Sequence, residues 1–356
     1  MTTAMTGMTK STPTATRGRA DYSRLSRWWW SVRVFVRFVA GYVRYLWTGS
    51  NTPEAYADMR RLFRMTGGRF NDAFSAIMGV AYPPYAIRAG EGVAGVVQSP
   101  GIDNAITALK RDGVHVFGRV LDADDCAAMI RWAESTPCRP IPKPDDSPSY
   151  VQYDRERPVA PKYAFDEKDI LAQPVAQRLA ADASMLALAQ RYLGARPVLS
   201  SCVAWWSTSL LDRPSSDAAQ LFHFDMNHVR FVKFFFYLTD VGEDNGPHAY
   251  LRRSHRRLHR SLREDRRFID AEVFACYDEG DLLRITGAAG TMFAADTRGL
   301  HKGTRLLRGD RLVLEFQFAT SHFGDSPGSV RIENAIPELR GAALRFPRTF
   351  NRFDLR

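Results

Sequence analysis

Cysteine is scarce in this chain of 356 residues: there are four, at positions 126, 138, 202 and 276, with no C-x-x-C pair. That spacing excludes a disulfide scaffold and a cysteine-rich metal module, and it reads as free thiols in a reducing compartment. Lysine is scarce as well, with seven against forty-two arginines, so the net charge of +10 is an arginine charge. Anionic partners are therefore favoured: phospholipid, nucleotide or nucleic acid. No nucleic-acid-binding motif accompanies the basicity, so a nucleic-acid partner is not expected. Internal repeats are absent, which excludes a solenoid. The first 20 residues hold no acidic side chain. Residues 1–23 read as a disordered Thr/Ser/Met-rich tail, of a composition that in a eukaryote would also suit a transit peptide.

Apolar material is plentiful, at 45% of residues with 12% aromatic, enough for a sizeable core. Residues 24–98 read as a basic aromatic helical preface and linker. In its first part, RLSRWWWSVRVFVRFVAGYVRYLW, the arginines Arg33, Arg37 and Arg44 share one side of a helix and interrupt any transmembrane span. A Trp- and Phe-rich basic helix suits a membrane-surface anchor, or a helix packed on the protein with its arginines reaching water. The alternation in VRVFVRFV also fits a strand. Thr52 or Asn51 before Pro53 predicts a helix start, with a stop at Gly67-Gly68. A cytoplasmic protein, able to sit at the edge of a membrane, is the expectation.

The main domain is placed at residues 99–325, with residues 326–356 wrapping its surface. Pro- and charge-rich residues 139–170 read as a long functional loop. From residue 197 the pattern turns to strands. In FVKFFFYL, Val232, Phe234, Phe236 and Leu238 share one face, and Phe231, Lys233, Phe235 and Tyr237 the other, as in a central strand covered on both sides. Lys233 is expected to reach past an edge to water. About eight strands separated by turns suit a double-stranded β-helix, a cupin-like jelly roll; the fold class is mainly β with flanking helices.

The stretch QLFHFDMNHVRFVKFFFYLTD carries the chemistry. His223 and Asp225 lie two residues apart, so on a β-strand both aim at one point. An imidazole and a carboxylate there can share a metal, and His301, in a Gly-punctuated turn, is the best third ligand. Two His and one carboxylate on one face form the open site of a non-haem Fe(II) oxygenase. Arg311 opens the following strand, where it could hold a dicarboxylate by paired hydrogen bonds. Asp281 and Asp296 are alternative carboxylate ligands, and Arg305 competes with Arg311.

His223-Phe224-Asp225, distal His301 and trailing Arg311 resemble the phytanoyl-CoA dioxygenase family of Fe(II)/2-oxoglutarate oxygenases. RDGVHVFGRVLDADDCAAMI and LTDVGEDNGPHAYLRRSHR resemble further segments of the same family, over roughly residues 103–320. One departure is Arg252-Arg253, where the family usually has Pro-Gly. The resemblance implies Fe(II) at His223, Asp225 and His301, 2-oxoglutarate paired with Arg311, and O2 as co-reactant. It also implies hydroxylation of an unactivated C–H bond of a small-molecule or lipid-like substrate, with release of succinate and CO2. The alternative from another class is a non-catalytic jelly-roll protein that binds anionic membranes or a partner through its basic aromatic helix. The Arg-rich segment 252–268 fits either a solvated surface or phosphate docking.

Overall fold

The computed structural model describes residues 17–87, 90, 92–95, 97, 99–145, 148–325 and 328–356, with side chains from residue 29 onward. The expected tail at residues 1–23 falls mostly outside them, and its boundary is shortened by helix α1, Arg17–Thr48. Helix wins over strand in VRVFVRFV because Val34, Phe38 and Tyr42, four residues apart, form one buried stripe. Helices α2 (Pro53–Thr66) and α3 (Arg69–Ala81) complete the preface. Thr52 caps α2 by accepting from the Ala55 amide at 3.2 Å, and Gly67 ends it in the left-handed region.

The preface is fastened to the rest of the molecule. Its stripe packs with Met59, Leu62 and Met78 against Val229 and Phe323 of the main domain. At the α1–α2 crossing, a Cβ on Gly41 would come within 2.2 Å of the Ala55 Cβ, so only glycine allows the approach. Beside it, Asp58 is fully buried and bound by Arg37 at 2.7 Å and Arg61 at 2.8 Å.

Helix α4 (Pro100–Asp112) leads into β1 (Val114–Arg119), α5 (Ala123–Ser135), β2 (Arg139–Ile141) and β3 (Lys162–Ala164). Helices α6 (Glu167–Leu171), α7 (Pro174–Ala180) and α8 (Ala183–Leu193) follow, and Asp182 caps the last of them. The strand-rich half contains β4 (Val198–Thr208), β5 (Phe231–Tyr237), β6 (His248–Leu251), helix α9 (Asp270–Phe274), β7 (Leu282–Ile285), β8 (Thr291–Ala295), β9 (His301–Gly303) and β10 (Asp310–Ala319). Strand β11 (Val330–Ile332), helix α10 (Pro337–Arg345) and strand β12 (Phe353–Leu355) close the chain.

Two antiparallel sheets face each other. The larger has the order β1-β8-β5-β10-β4-β3-β2, the smaller β7-β6-β9. This is the expected jelly-roll architecture. β5 is central, and its Val232, Phe234 and Phe236 enter the main core while Phe235 and Tyr237 pack between the sheets. Residues 139–170 are not simply a loop: Lys162–Ala164 pairs with Trp205–Ser207 of β4, which adds two edge strands. The C-terminal segment is likewise more than a surface wrap. β11 and β12 pair in parallel, and Leu339, Phe346 and Phe350 are buried in the main core. The segment 252–268 forms turns and a single 3-10 turn at Arg260–Leu262. Arg253, where the resembling family has glycine, holds a left-handed φ of 69°.

Candidate metal and dicarboxylate site

The site begins in the alternation of Phe222-His223-Phe224-Asp225-Met226-Asn227. Phe222, Phe224 and Met226 enter an apolar cluster in which Phe63 of α2 stacks on Phe224 at 5.7 Å. His223, Asp225 and Asn227 therefore point the other way, into a cavity of about 530 Å3 between the sheets. The stretch is extended but is not a full strand. It joins the small sheet through one bridge, in which the His223 amide donates to the His301 carbonyl at 3.0 Å and the His301 amide returns the bond at 2.9 Å. The Asp225 amide donates to the Thr297 carbonyl at 2.8 Å. Backbone pairing thus brings the two distant segments together.

One ligand atom from each of His223, Asp225 and His301 lies within 4.8 Å of the others. His301 Nε2 is 3.6 Å and His223 Nε2 4.0 Å from the Asp225 oxygens, too far for hydrogen bonds. Ligand atoms that share an ion at about 2.1 Å sit roughly 3 Å apart, so small side-chain shifts close the set. Each Nδ1 is 3.0 Å from the carbonyl two residues earlier, Leu221 for His223 and Gly299 for His301. Those bonds fix the tautomer and leave Nε2 as a lone-pair donor toward the cavity. Burial holds both imidazoles below the usual range, so they are neutral at pH 7. Burial would raise Asp225, but the Lys233 ammonium, His301, His223 and Thr297 together outweigh it and the carboxyl stays ionised. Two neutral imidazoles and a carboxylate are the donor set that suits Fe(II).

Arg311 lies on β10 in register with Ser207 of β4, which is in turn opposite Lys162 of β3. These three form a row across the large sheet, on the face that lines the cavity. Arg311 is buried, its Nη2 is 3.3 Å from the Ser207 hydroxyl, and its Nε and Nη1 have no hydrogen-bond partner among the described residues. A buried guanidinium with two unused donors in a fixed fork fits a carboxylate. The competing Arg305 donates to the Leu211 carbonyl at 3.0 Å and does not line this cavity. The Thr304 hydroxyl bonds the Pro247 carbonyl at 2.8 Å.

The other candidate ligands are engaged elsewhere. Both Asp296 oxygens bond the Arg298 guanidinium and one bonds Tyr192, while Asp281 pairs with Arg253. His228 meets the Phe323 carbonyl, His255 the Lys110 carbonyl and His322 Asn351. His259 accepts from the Ser261 amide.

Lys233 does not reach an outer edge. Its ammonium lies 3.1 Å from Asp225 and 3.2 Å from Glu315 of β10. Burial would lower it, but the two carboxylates outweigh burial and hold it protonated. Burial and Asp225 push Glu315 upward, against the pull of Lys233. Sequence reasoning missed Glu315, although it shares a face with Arg311 four residues earlier. It also did not assign His248, which stacks on His301 at 5.4 Å and whose buried Nε2 has no partner among the described residues. Arg139, Lys162 and Arg267 add positive charge to the cavity wall, where burial pushes Lys162 down to about 8.

Removing Lys233 leaves the buried Glu315 carboxylate facing the half-buried Asp225 carboxylate. Lys233→Met should destabilise the metal-free protein by about 3–5 kcal/mol, and Lys233→Met/Glu315→Gln should recover most of it. Chemical denaturation of the singles and the double checks this; simple additivity of the two singles would refute the coupling.

The phytanoyl-CoA dioxygenase family model matches residues 109–306, more than half of the chain. No curated protein matches. Among solved structures, HygX from Streptomyces hygroscopicus, with nickel and 2-oxoglutarate bound, is 16% identical, with coverage of 67% of this chain and 93% of that one and a TM-score of 0.43. The non-haem alpha ketoglutarate dependent epimerase SnoN from nogalamycin biosynthesis is 15% identical, at 61% and 82% coverage and TM-score 0.39. The carbocyclase SnoK of the same biosynthesis is 15% identical, at 60% and 82% coverage and TM-score 0.43. Arg311 and helices α1–α3 lie outside the matched span. From residue 109 to residue 306 the chain carries the family's pattern, and it belongs to the phytanoyl-CoA dioxygenase family of Fe(II)/2-oxoglutarate-dependent oxygenases.

Proposed function

We propose that the protein hydroxylates an unactivated C–H bond of a small-molecule or lipid-like substrate, with release of succinate and CO2. Residues 99–325 would form the oxygenase domain. The observation that carries this reading is one cavity with two complementary features. His223, Asp225 and His301 converge in it, and Arg311 enters it with two buried, unused donors.

In this reading the Nε2 atoms of His223 and His301 and a carboxylate oxygen of Asp225 hold Fe(II). Bound iron supplies the activation of O2 that C–H oxidation needs. Arg311 takes the far carboxylate of 2-oxoglutarate and fixes its orientation by paired hydrogen bonds. Lys233 holds Asp225 ionised and steers its carboxylate through a 3.1 Å contact. The apolar side of His248 and the stacked rings of Phe235 and Phe293, 4.7 Å apart, keep bulk water from the same wall. Arg139, Lys162 and Arg267 leave the remaining wall positive, which favours a substrate with an anionic group.

The test is anaerobic addition of Fe(II) and 2-oxoglutarate to the purified protein. The expected result is the weak visible charge-transfer band of the chelate, followed by succinate formation on admission of O2. A folded protein with no band and no succinate would overturn the reading in favour of a non-catalytic jelly roll.

A further inference from the structure

The inner side of α1, Val34, Phe38 and Tyr42, packs against the main domain. The opposite side carries Val36, Val43 and Trp47, and Trp47 is 87% exposed. At 3.6 residues per turn these three fall within about 40° of one line along the helix. Arg33, Arg37 and Arg44 fall within another arc of about 40°, directly beside it. An exposed apolar stripe therefore borders a row of arginines.

Helix α2 lies on the far side of that row. Its Arg61 and Arg64, with Arg260 and Arg263 of the basic segment and the Trp30 ring, surround a cavity of about 640 Å3. A smaller cavity of about 270 Å3 lies among Trp30, Arg33, Arg37 and Arg61. The nearby carboxylates are engaged: Asp58 is buried between Arg37 and Arg61, Glu264 pairs with Arg266, and Asp265 with Arg60. Burial first, and then the neighbouring Arg260 and Arg257, push the Arg263 guanidinium downward.

The geometry points to this face as a docking surface for an anionic phospholipid bilayer. The α1 stripe enters the boundary between headgroups and acyl chains, and the arginine cavity takes a headgroup phosphate. Trp at the stripe suits the interface, where an amphipathic ring has both an apolar and a wet side. Guanidinium groups bind phosphate in pairs of hydrogen bonds, and basic residues beside an apolar face strengthen binding to anionic lipid. No helix among the described residues is long and apolar enough to cross a membrane, so α1 lies on the surface. This surface is independent of the oxygenase reading, because none of its residues lines the His223 cavity.

The test is co-sedimentation of the full-length protein with vesicles of phosphatidylcholine alone or mixed with phosphatidylserine. Binding is expected only to the mixed vesicles, and to weaken with salt. Arg33→Gln/Arg44→Gln/Arg260→Gln should weaken it about a hundredfold, at roughly fivefold per arginine, and Trp47→Ser/Val43→Ser should weaken it independently. Succinate formation should be unchanged in both variants. Absence of binding to either vesicle would overturn the proposal, as would equal binding to both. Competition by inorganic phosphate alone, without vesicle binding, would assign the arginine cavity to a free anion and also overturn it. So would self-association of the wild type that is lost in Trp47→Ser/Val43→Ser without any vesicle binding.

Discussion

Asp225→Ala is expected to abolish Fe(II) binding and 2-oxoglutarate turnover while leaving the protein folded. Asp225 is the only carboxylate among the three converging groups, so its loss removes both a ligand and the negative charge that balances the metal. Changes outside the ligand set cost ten- to a hundredfold in metal affinity in comparable sites, so loss of a ligand should exceed roughly a hundredfold. Stability should change little. Lys233 keeps its second partner, Glu315, at 3.2 Å, and Glu315 loses a repulsive neighbour. A change within about 2 kcal/mol is therefore expected in the metal-free protein. His223→Ala should give the same loss of iron by a different route, since its Nδ1 bond to Leu221 is local. Bound iron, succinate yield and far-ultraviolet circular dichroism are the measurements. Unchanged turnover in a folded Asp225→Ala protein would remove His223, Asp225 and His301 from the metal role.

Part of this site was legible because the information is local. In FHFDMN the polar and apolar residues alternate, and extended backbone alone separates them onto two faces. The strand assignment was too regular, since one bridge rather than a ladder holds His223 to His301. Even so, alternation needs only extended backbone, so the facing was right. The facing of Arg311 into the cavity was legible for a similar reason: it opens an apolar strand in which a guanidinium has few alternatives.

Lys233 was not legible, because its environment depends on a strand far away in sequence. Whether a lysine in a strand reaches water or an ion pair is decided by its cross-strand neighbours. Here β10 places Gln317 opposite Lys233, and Glu315 two residues along on the same face. Nothing within FVKFFFYL carries that. The edge strands β2 and β3 were missed for a related reason. The three residues of β3 pair with β4 on one side and with β2 on the other, and the flanking prolines and charges mask so short a strand. On α1 the arginine side and the apolar residues were visible from spacing, but which apolar positions face inward depends on Phe323 and Val229.

Arg311→Met is expected to act in opposite directions with and without the dicarboxylate. In the ligand-free protein Arg311 is a buried cation whose one side-chain hydrogen bond is the 3.3 Å contact to Ser207, and burial already lowers its affinity for its proton. Methionine fills similar space and removes two unsatisfied donors. The variant should therefore melt at least as high as wild type, with a gain of about 1–3 kcal/mol. With 2-oxoglutarate present the order reverses. Truncating one partner of a buried, hydrogen-bonded charge pair costs about 2–5 kcal/mol, a rise in Kd of roughly thirtyfold or more. The wild type should then gain thermal stability with 2-oxoglutarate, and Arg311→Met should gain almost none. Thermal melting with Fe(II), across a series of 2-oxoglutarate concentrations, checks both halves. Arg305→Met is the control, because Arg305 is bonded to Leu211 outside the cavity and should leave the 2-oxoglutarate dependence intact. If Arg311→Met lowered the ligand-free melting point and kept the wild-type response to 2-oxoglutarate, Arg311 would be a packing residue and the dicarboxylate would have to bind elsewhere. If the two melting curves cross as the ligand is added, the unused donors of Arg311 exist to hold it, since a guanidinium that costs stability in the empty protein is retained only where an anion completes it.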